Sequence, residues 1–314
     1  MKFSIITPSL NQSAYLPECV ESVRGQVLGK AEKLKTETLK KEECGYVPVS
    51  TFQHFSVSEF SVEHLIQDGG SVDGTVEWLL EKAEKLKGEE GEETPISACQ
   101  RVSISDFAER YAFSFVSGAD KGQTDAINKG LARATGDILS YLCADDYLLP
   151  GALARVAEIF DAHPEVDVVY GDYAFLEGDS GWVRRKRVGP FSEERLRRDN
   201  FISQPATFWR RRVYERFGGF DESLRFCMDH EYWLRIAGST SWFYLPEMLA
   251  VQRLHGDSKT GSQLVEAWEE TALMAGRYGL GEAFERKAGA MRLYGAAYYA
   301  LRRRLFRCIG RWMR

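Results

Sequence analysis

The stretch Ile138-Leu139-Ser140-Tyr141-Leu142-Cys143-Ala144-Asp145-Asp146-Tyr147-Leu148-Leu149-Pro150-Gly151 decides the fold. An apolar run of strand length passes directly into two adjacent carboxylates, and a Leu-Pro-Gly turn closes the segment. A strand that ends in acids puts negative charge where a parallel sheet opens its ligand crevice. Two carboxylates that close repel each other unless a cation or a hydrogen-bond network holds them. A solvated acidic corner would use the same residues, so this stretch alone leaves both roles open.

Outward from it, the first half of the chain alternates β-rich runs with helical patterns. Phe3–Thr7, His64–Gln67, Phe113–Ser117, Ile138–Leu142 and Val166–Tyr170 predict strands. Leu16–Val23, Val76–Leu86, Thr124–Ala134 and Ala152–Ala162 predict helices between them. That alternation predicts right-handed crossovers and a mainly parallel sheet. Two charged stretches, Lys30–Glu43 and Lys85–Thr94, break the rhythm and predict surface insertions near 28–61 and 86–110. Beyond residue 172 a hairpin is expected over Tyr173–Phe191, around Gly178–Gly181. From Ser262 the pattern is helical, which divides the chain into a main domain, 1–260, and a helical extension, 261–314.

Composition is that of a globular protein, with 44% hydrophobic and 28% charged residues among 314. A net charge of −5 argues against nucleic acid as a partner. Six scattered cysteines without Cys-x-x-Cys spacing predict free thiols in a reducing compartment. Pro8 interrupts the first apolar run before it can serve as a signal core, and no stretch is long and apolar enough to cross a bilayer. A cytoplasmic location is expected, with a possible seat at the inner face of the membrane. Leu301, Leu305, Ile309 and Trp312 recur at helical spacing among six arginines (302, 303, 304, 307, 311 and 314) with no acid. Such a basic amphipathic helix suits peripheral contact with anionic lipid, or equally packing on the protein body.

Four strand ends carry polar residues: Thr7-Pro8-Ser9-Leu10-Asn11, Gln67–Thr75, Gly118–Gly130 and Asp145-Asp146. Each alone is ordinary turn chemistry. In a parallel sheet they converge on one edge.

In this order, and with Val169–Asp172, Gln204–Arg210, Gly218–Glu222, Asp229–Arg235 and His255–Thr260, these segments resemble the family 2 glycosyltransferases. The similarity is to the bacterial branch with a Lys-Gly-x-x-Asp-Ala-x-Asn-Lys-Gly segment, here Lys121–Gly130, and it covers roughly residues 1–260. It implies an α/β GT-A (Rossmann-like) fold: a mixed, mainly parallel sheet flanked by helices, with a C-terminal helical extension. It implies an inverting glycosyltransferase that moves a sugar from a nucleotide-sugar donor, UDP-linked, to a saccharide or lipid-linked acceptor in cell-surface polysaccharide or glycolipid synthesis. By the same resemblance Thr7, Pro8 and Asn11 pass under the base, and Asp68 accepts a hydrogen bond from it. Asp125 and Asn128 line the nucleotide, Lys129 approaches the phosphates, and Asp145 touches the ribose. Asp146 holds Mn2+ or Mg2+ on the diphosphate, and His255 reaches the metal or the diphosphate.

The chemistry asks for such groups. Departure of a nucleoside diphosphate builds negative charge that a hard cation on oxygen ligands stabilises. The attacking hydroxyl needs a base. Asp229 stands at the family's catalytic carboxylate position, with Glu231 as the alternative and Trp233 as either core or sugar platform. Two positions depart from the family: Met228 replaces a common Glu and Ile127 a common Arg, which shifts phosphate neutralisation toward the metal, Lys121 or Lys129. Arg184–Arg187 suit a solvated hairpin face or a phosphate-bearing acceptor. A sugar-1-phosphate nucleotidyltransferase would need a glycine-rich basic run after the first strand, and Ser9-Leu10-Asn11-Gln12 is none. A non-catalytic nucleotide-sugar-binding protein of the same fold is the remaining alternative; it would not need Asp229. No motif bears on oligomeric state.

Overall fold

Lys2–Ser9 (β1) is buried from Phe3 onward on both faces, as a strand at the centre of a covered parallel sheet must be. The computed structural model describes residues 1–28, 60–88, 102–106, 110–177, 181–255, 263–282 and 284–290. Lys30–Glu43, most of the second predicted insertion and the arginine-rich helix near 301–314 lie outside the described residues.

The strands after β1 are β2 (Ser61–Asp68), β3 (Val102–Asp106), β4 (Tyr111–Ser117), β5 (Ile138–Tyr141), β6 (Tyr147–Leu148), β7 (Val168–Glu177), β8 (Trp182–Lys186), β9 (Thr207–Arg210) and β10 (Trp242–Leu254). Among the described residues they form one sheet in the order β3-β4-β2-β1-β5-β9-β7-β10-β6, with β8 added on β7. The block β4-β2-β1-β5 is parallel throughout. Ser9, Asp68 and Ser117 therefore stand level at one edge. Beyond β5 the pairings are antiparallel apart from β7 with β10. The expected hairpin is present as β7 and β8, with Tyr173–Glu177 opposite Trp182–Lys186. Part of the segment expected as an insertion near 86–110 is instead β3, an antiparallel edge strand on β4. Its five residues, Val-Ser-Ile-Ser-Asp, are too short a run to stand out beside a long charged stretch.

The crossovers are α1 (Leu16–Leu28), α2 (Thr75–Gly88), α3 (Gln123–Arg133) and α4 (Ala152–Ala162). After the hairpin come α5 (Glu193–Leu196), α6 (Arg211–Phe217), α7 (Met228–Ala237) and α8 (Leu264–Arg277). Helix α3 lies against β1 at a glycine: a Cβ on Gly130 would stand 2.3 Å from Cγ2 of Ile6. Gly130→Ala should therefore destabilise the protein by about 1–3 kcal/mol through overpacking, seen as a lower Tm with an unchanged circular dichroism spectrum.

The far half of the core is aromatic. Trp233 is wholly buried, with ring centroids 5.7 Å from Trp209 and 5.9 Å from Trp242. It belongs to the core and offers no face to a sugar. Helix α8 is docked on the same body, since Met274 joins the main core while Ala275, Phe284 and Ala288 pack together beside Trp268. Among the described residues no helix is long and apolar enough to cross a membrane.

Candidate active site

The loops after β1 and β2 are bound to each other. The Asn11 N–H donates to Ser71 Oγ (2.7 Å), and Asn11 Oδ1 accepts from the Val72 N–H (3.0 Å). Asn11 adopts a left-handed backbone at φ 53°, tolerable for Asn because its short amide bonds locally. The Ser13 N–H donates to Asp73 Oδ2 (3.0 Å), and Asp73 Oδ1 accepts from the Thr75 N–H (3.1 Å) at the start of α2. Burial would raise the Asp73 carboxyl, but its bonds with Thr75 and Ser13 hold it near 2.

Several expected donor residues are spent on this scaffold. Asp68 is fully buried; its Oδ2 accepts from the N–H groups of Gly70 and Ser71 (each 3.0 Å) and from Ser117 Oγ (2.7 Å). No oxygen of Asp68 is left facing solvent for a base. Asp120 stands beside it, half-exposed, where a Cβ on Gly69 would come within 2.8 Å of its Oδ2. Thr7 is buried with Oγ1 2.8 Å from His64 Nε2, and Pro8 is buried with it. Asn128 clamps a neighbouring loop: its Nδ2 donates to Phe220 O (2.9 Å) and Glu222 Oε1 (3.1 Å), and its Oδ1 accepts from Phe220 N–H (2.9 Å). Asp125 accepts from the Lys121 N–H (2.8 Å) and pairs with the exposed Lys129 (2.8 Å), which holds its carboxyl low.

The acidic pair divides sharply. Asp146 is 3% exposed; its Oδ1 accepts from the Arg253 N–H (2.9 Å) and its Oδ2 from Gln204 Nε2 (3.1 Å). The Asp145 side chain is 21% exposed, with Oδ2 3.1 Å from Nε2 of His255. Tyr15 packs on the His255 ring at 4.6 Å. Cys143 Sγ and one oxygen from each Asp lie within 4.8 Å of one another. Amides of Gln123 (3.1 Å) and Gln204 (3.4 Å) donate to that sulfur. Burial and then the charge of Asp145 push the Asp146 carboxyl well above the usual range. A cation at this corner would remove that penalty, and carboxylate oxygens beside an imidazole suit Mn2+ or Mg2+.

Asp229 opens the first turn of α7. The His230 N–H donates to its Oδ1 (2.7 Å) and Asn200 Nδ2 to its Oδ2 (3.1 Å). Burial pushes its carboxyl up, and the bonds from His230 and Asn200 offset this only in part. Burial first, and then the charges of Asp229, Cys143 and Asp146, raise the Tyr141 hydroxyl. Glu231, the alternative base, is buried and bound to Arg235 (2.9 Å) and the Tyr278 hydroxyl (2.6 Å). It braces α7 and is closed to an acceptor.

A family model described as glycosyl transferase family 2 matches residues 104–220. A PGL/p-HBAD biosynthesis glycosyltransferase of Mycobacterium bovis is 28% identical over 234 residues, covering 74% of this chain and 68% of the relative. The family 2 match lies within residues 104–220, and the chain is a glycosyltransferase. A shorter match, 32% over 121 residues, links 37% of this chain to 9% of the O-antigen biosynthesis protein RfbC of Myxococcus xanthus. Staphylococcus aureus TarS 1–349, solved with UDP-GlcNAc, superposes with a TM-score of 0.55 at 17% identity over 87% of this chain and 65% of that one. The mannosyltransferase PcManGT of Pyrobaculum calidifontis, solved with GDP-Man and Mn2+, gives 0.51 at 17% identity over 94% and 79%. The fold is that of the GT-A glycosyltransferases.

Asp145 and His255 come together, and Asp229 and Asp146 both act on the buried Tyr141 hydroxyl. Gln204, Arg253, Asn200 and Asp120 are site neighbours that the motifs did not single out. Gln204 and Arg253 fall inside or beside matched segments, yet only the folded chain brings them to Asp146. Asn200 carries no periodic or charge signal at all.

Proposed function

We propose that this glycosyltransferase moves a sugar, with inversion, from a nucleoside-diphosphate sugar to a hydroxyl of a saccharide or lipid-linked acceptor. The names of the mycobacterial and myxococcal relatives support a product in glycolipid or cell-surface polysaccharide synthesis. The UDP-GlcNAc and GDP-Man held by the two structural neighbours support the donor class, and we take UDP as the nucleotide. One observation carries the proposal: Asp145, beyond β5, meets His255 at 3.1 Å beside the raised Asp146, while the raised Asp229 and Asp146 both act on the buried Tyr141 hydroxyl.

Asp145 and His255 would hold Mn2+ or Mg2+, while Asp146, bound on both oxygens, fixes the corner behind them. This reverses the division expected from sequence, which put the metal on Asp146 and the ribose on Asp145. Bound there, the ion supplies positive charge to the leaving diphosphate. The locked loops Ser9–Ser13 and Asp68–Thr75 form the floor for the nucleoside, with Asp120 taking the base-facing part expected of Asp68. Asp229 accepts the acceptor hydroxyl's proton, with Asn200 orienting its Oδ2.

The test is a screen of UDP- and GDP-sugars for metal-dependent transfer, paired with calorimetry so that binding and turnover are read separately. A pH profile adds a sign. Asp229 works only when ionised, and its folded pKa lies above that of an ordinary aspartate, first through burial. The acid limb of kcat should accordingly fall at a higher pH than an exposed aspartate would give. Nucleotide binding without transfer to any acceptor would leave the non-catalytic alternative standing.

A further inference from the structure

Glu270 on α8 lies outside every matched motif, yet its carboxylate gathers three consecutive backbone donors. Its Oε2 accepts from the Arg225 N–H (2.8 Å), and its Oε1 from those of Phe226 (2.6 Å) and Cys227 (3.0 Å). These residues run directly into α7, whose second residue is Asp229. No side chain of α7's own cap residue, Cys227, bonds back to the helix, so Glu270 supplies the anchoring anion at its positive end. Three charge-assisted bonds from successive peptides fix a loop's path as well as its position.

Other bonds from the same region reach both sides of Asp229. Arg277 pairs with Asp221 (2.7 Å), and the Tyr278 hydroxyl donates to Glu231 Oε1 (2.6 Å) on α7. Arg197 Nη2 donates to Tyr278 O (3.2 Å), and Lys287 Nζ donates to Arg198 O (2.9 Å). Arg197 and Arg198 lead into Asn200, which bonds Asp229. Helix α8 and the residues after it, through Lys287, thus grip the helix that carries Asp229 and the turn that carries Asp229's orienting amide.

We infer that Glu270 is a positioning residue for the transfer: through the 225–227 loop it sets where the Asp229 carboxylate meets the acceptor hydroxyl. The inference rests on Asp229 being the base. It makes the C-terminal helical segment part of the reacting geometry.

Glu270→Ala should lower kcat by about 10–100-fold, because small misplacements of a reacting group are costly. KM for the donor should stay within about twofold, since Asp145 and His255 are held by other elements, and RT ln 2 is far below one bond's worth. Glu270→Gln keeps an acceptor for Phe226 and Cys227 but not for Arg225, so its kcat should lie between, about 3–10-fold down. Both variants should move the acid limb of kcat to lower pH, since a loosened loop admits water to Asp229, whose carboxyl is raised first by burial. The titratable groups facing Asp229 are Tyr141 from β5, Tyr173 from β7, His230 from α7 and Cys227 just before it; Cys227 Sγ donates to Glu270, so its thiol, raised by burial and then by Glu270, falls in both variants.

A merely structural Glu270 would lower Tm and leave the acid limb and the kcat-to-KM split where they were, assayed below the transition; that result overturns the inference. If Glu270→Ala does not fold, Glu270→Gln decides alone, and a wild-type kcat with a wild-type limb counts against it. Asp229→Asn, run in parallel, separates the two failures. Full transfer by that variant removes the base itself, whereas a dead Asp229→Asn beside a fully active Glu270→Ala removes only the positioning role.

Discussion

Asp229→Asn should lower kcat for glycosyl transfer by about 10²–10⁴-fold, the usual worth of a general base. The amide preserves the shape, still accepts from the His230 N–H and can donate to Asn200 once that amide turns its unpartnered Oδ1 toward it, but it cannot take a proton. Calorimetry with UDP and Mn2+ should give wild-type affinity, because the cation corner lies just beyond β5 and β10 rather than on α7. Stability should move the other way. A carboxyl whose folded pKa is raised binds its proton more tightly folded than unfolded, so its contribution to stability falls as pH climbs from the unfolded value through the folded one. At neutral pH the ionised, buried Asp229 is a cost, and a neutral amide removes it. A variant with a higher Tm and almost no turnover is the expected signature of a group kept for chemistry. Turnover near wild type would remove Asp229 from the mechanism.

Asp145→Asn should abolish metal-dependent transfer, with at least a ~100-fold loss, since several kcal/mol of leaving-group stabilisation depend on the ion. Nucleotide affinity gives the more direct readout. Chelation with EDTA should weaken UDP binding by the wild type and leave the variant's weaker binding unchanged. Asp146→Asn should behave differently. Asp146 accepts on both oxygens, from Arg253 N–H and from Gln204, so the amide nitrogen either faces the Gln204 donor or turns that amide away from its bond to Cys143. That costs about 1–3 kcal/mol of stability, read in thermal or urea unfolding. The reverse outcome, with metal dependence lost in Asp146→Asn and retained in Asp145→Asn, would restore the division expected from sequence.

Much of the first half was legible before folding. Strand and helix runs from Phe3 to Ala162 appear at the predicted places because period-2 and period-3.6 patterns there are long and bounded by glycine, proline and aspartate. The segment Lys121–Gly130 was legible as important but not as what it does. Gly130 clears Ile6, and Asn128 and Thr124 hold the loop at 219–224. These contacts link residues about 90 to 125 apart in the chain, which no local pattern encodes. Trp233 and Glu231 were ambiguous for the same reason, because both the aromatic core and the Arg235–Tyr278 brace are assembled from distant segments.

By itself the sequence determined the α/β order, the strand that ends in Asp145-Asp146 and the set of acids from which a site could be made. Local periodicity and turn chemistry suffice for that, since each depends on neighbours within a few residues. Which acid faces solvent and which is consumed was decided only by the tertiary structure. Asp145 and Asp146 are chemically identical neighbours, and Arg253 and Gln204 make them different by occupying both oxygens of one and neither of the other. Asp68 and Asp120 are separated in the same way, by Ser117 and the missing Cβ of Gly69. Burial and hydrogen-bond partners set a carboxylate's chemistry, and both are properties of packing between segments far apart in the chain.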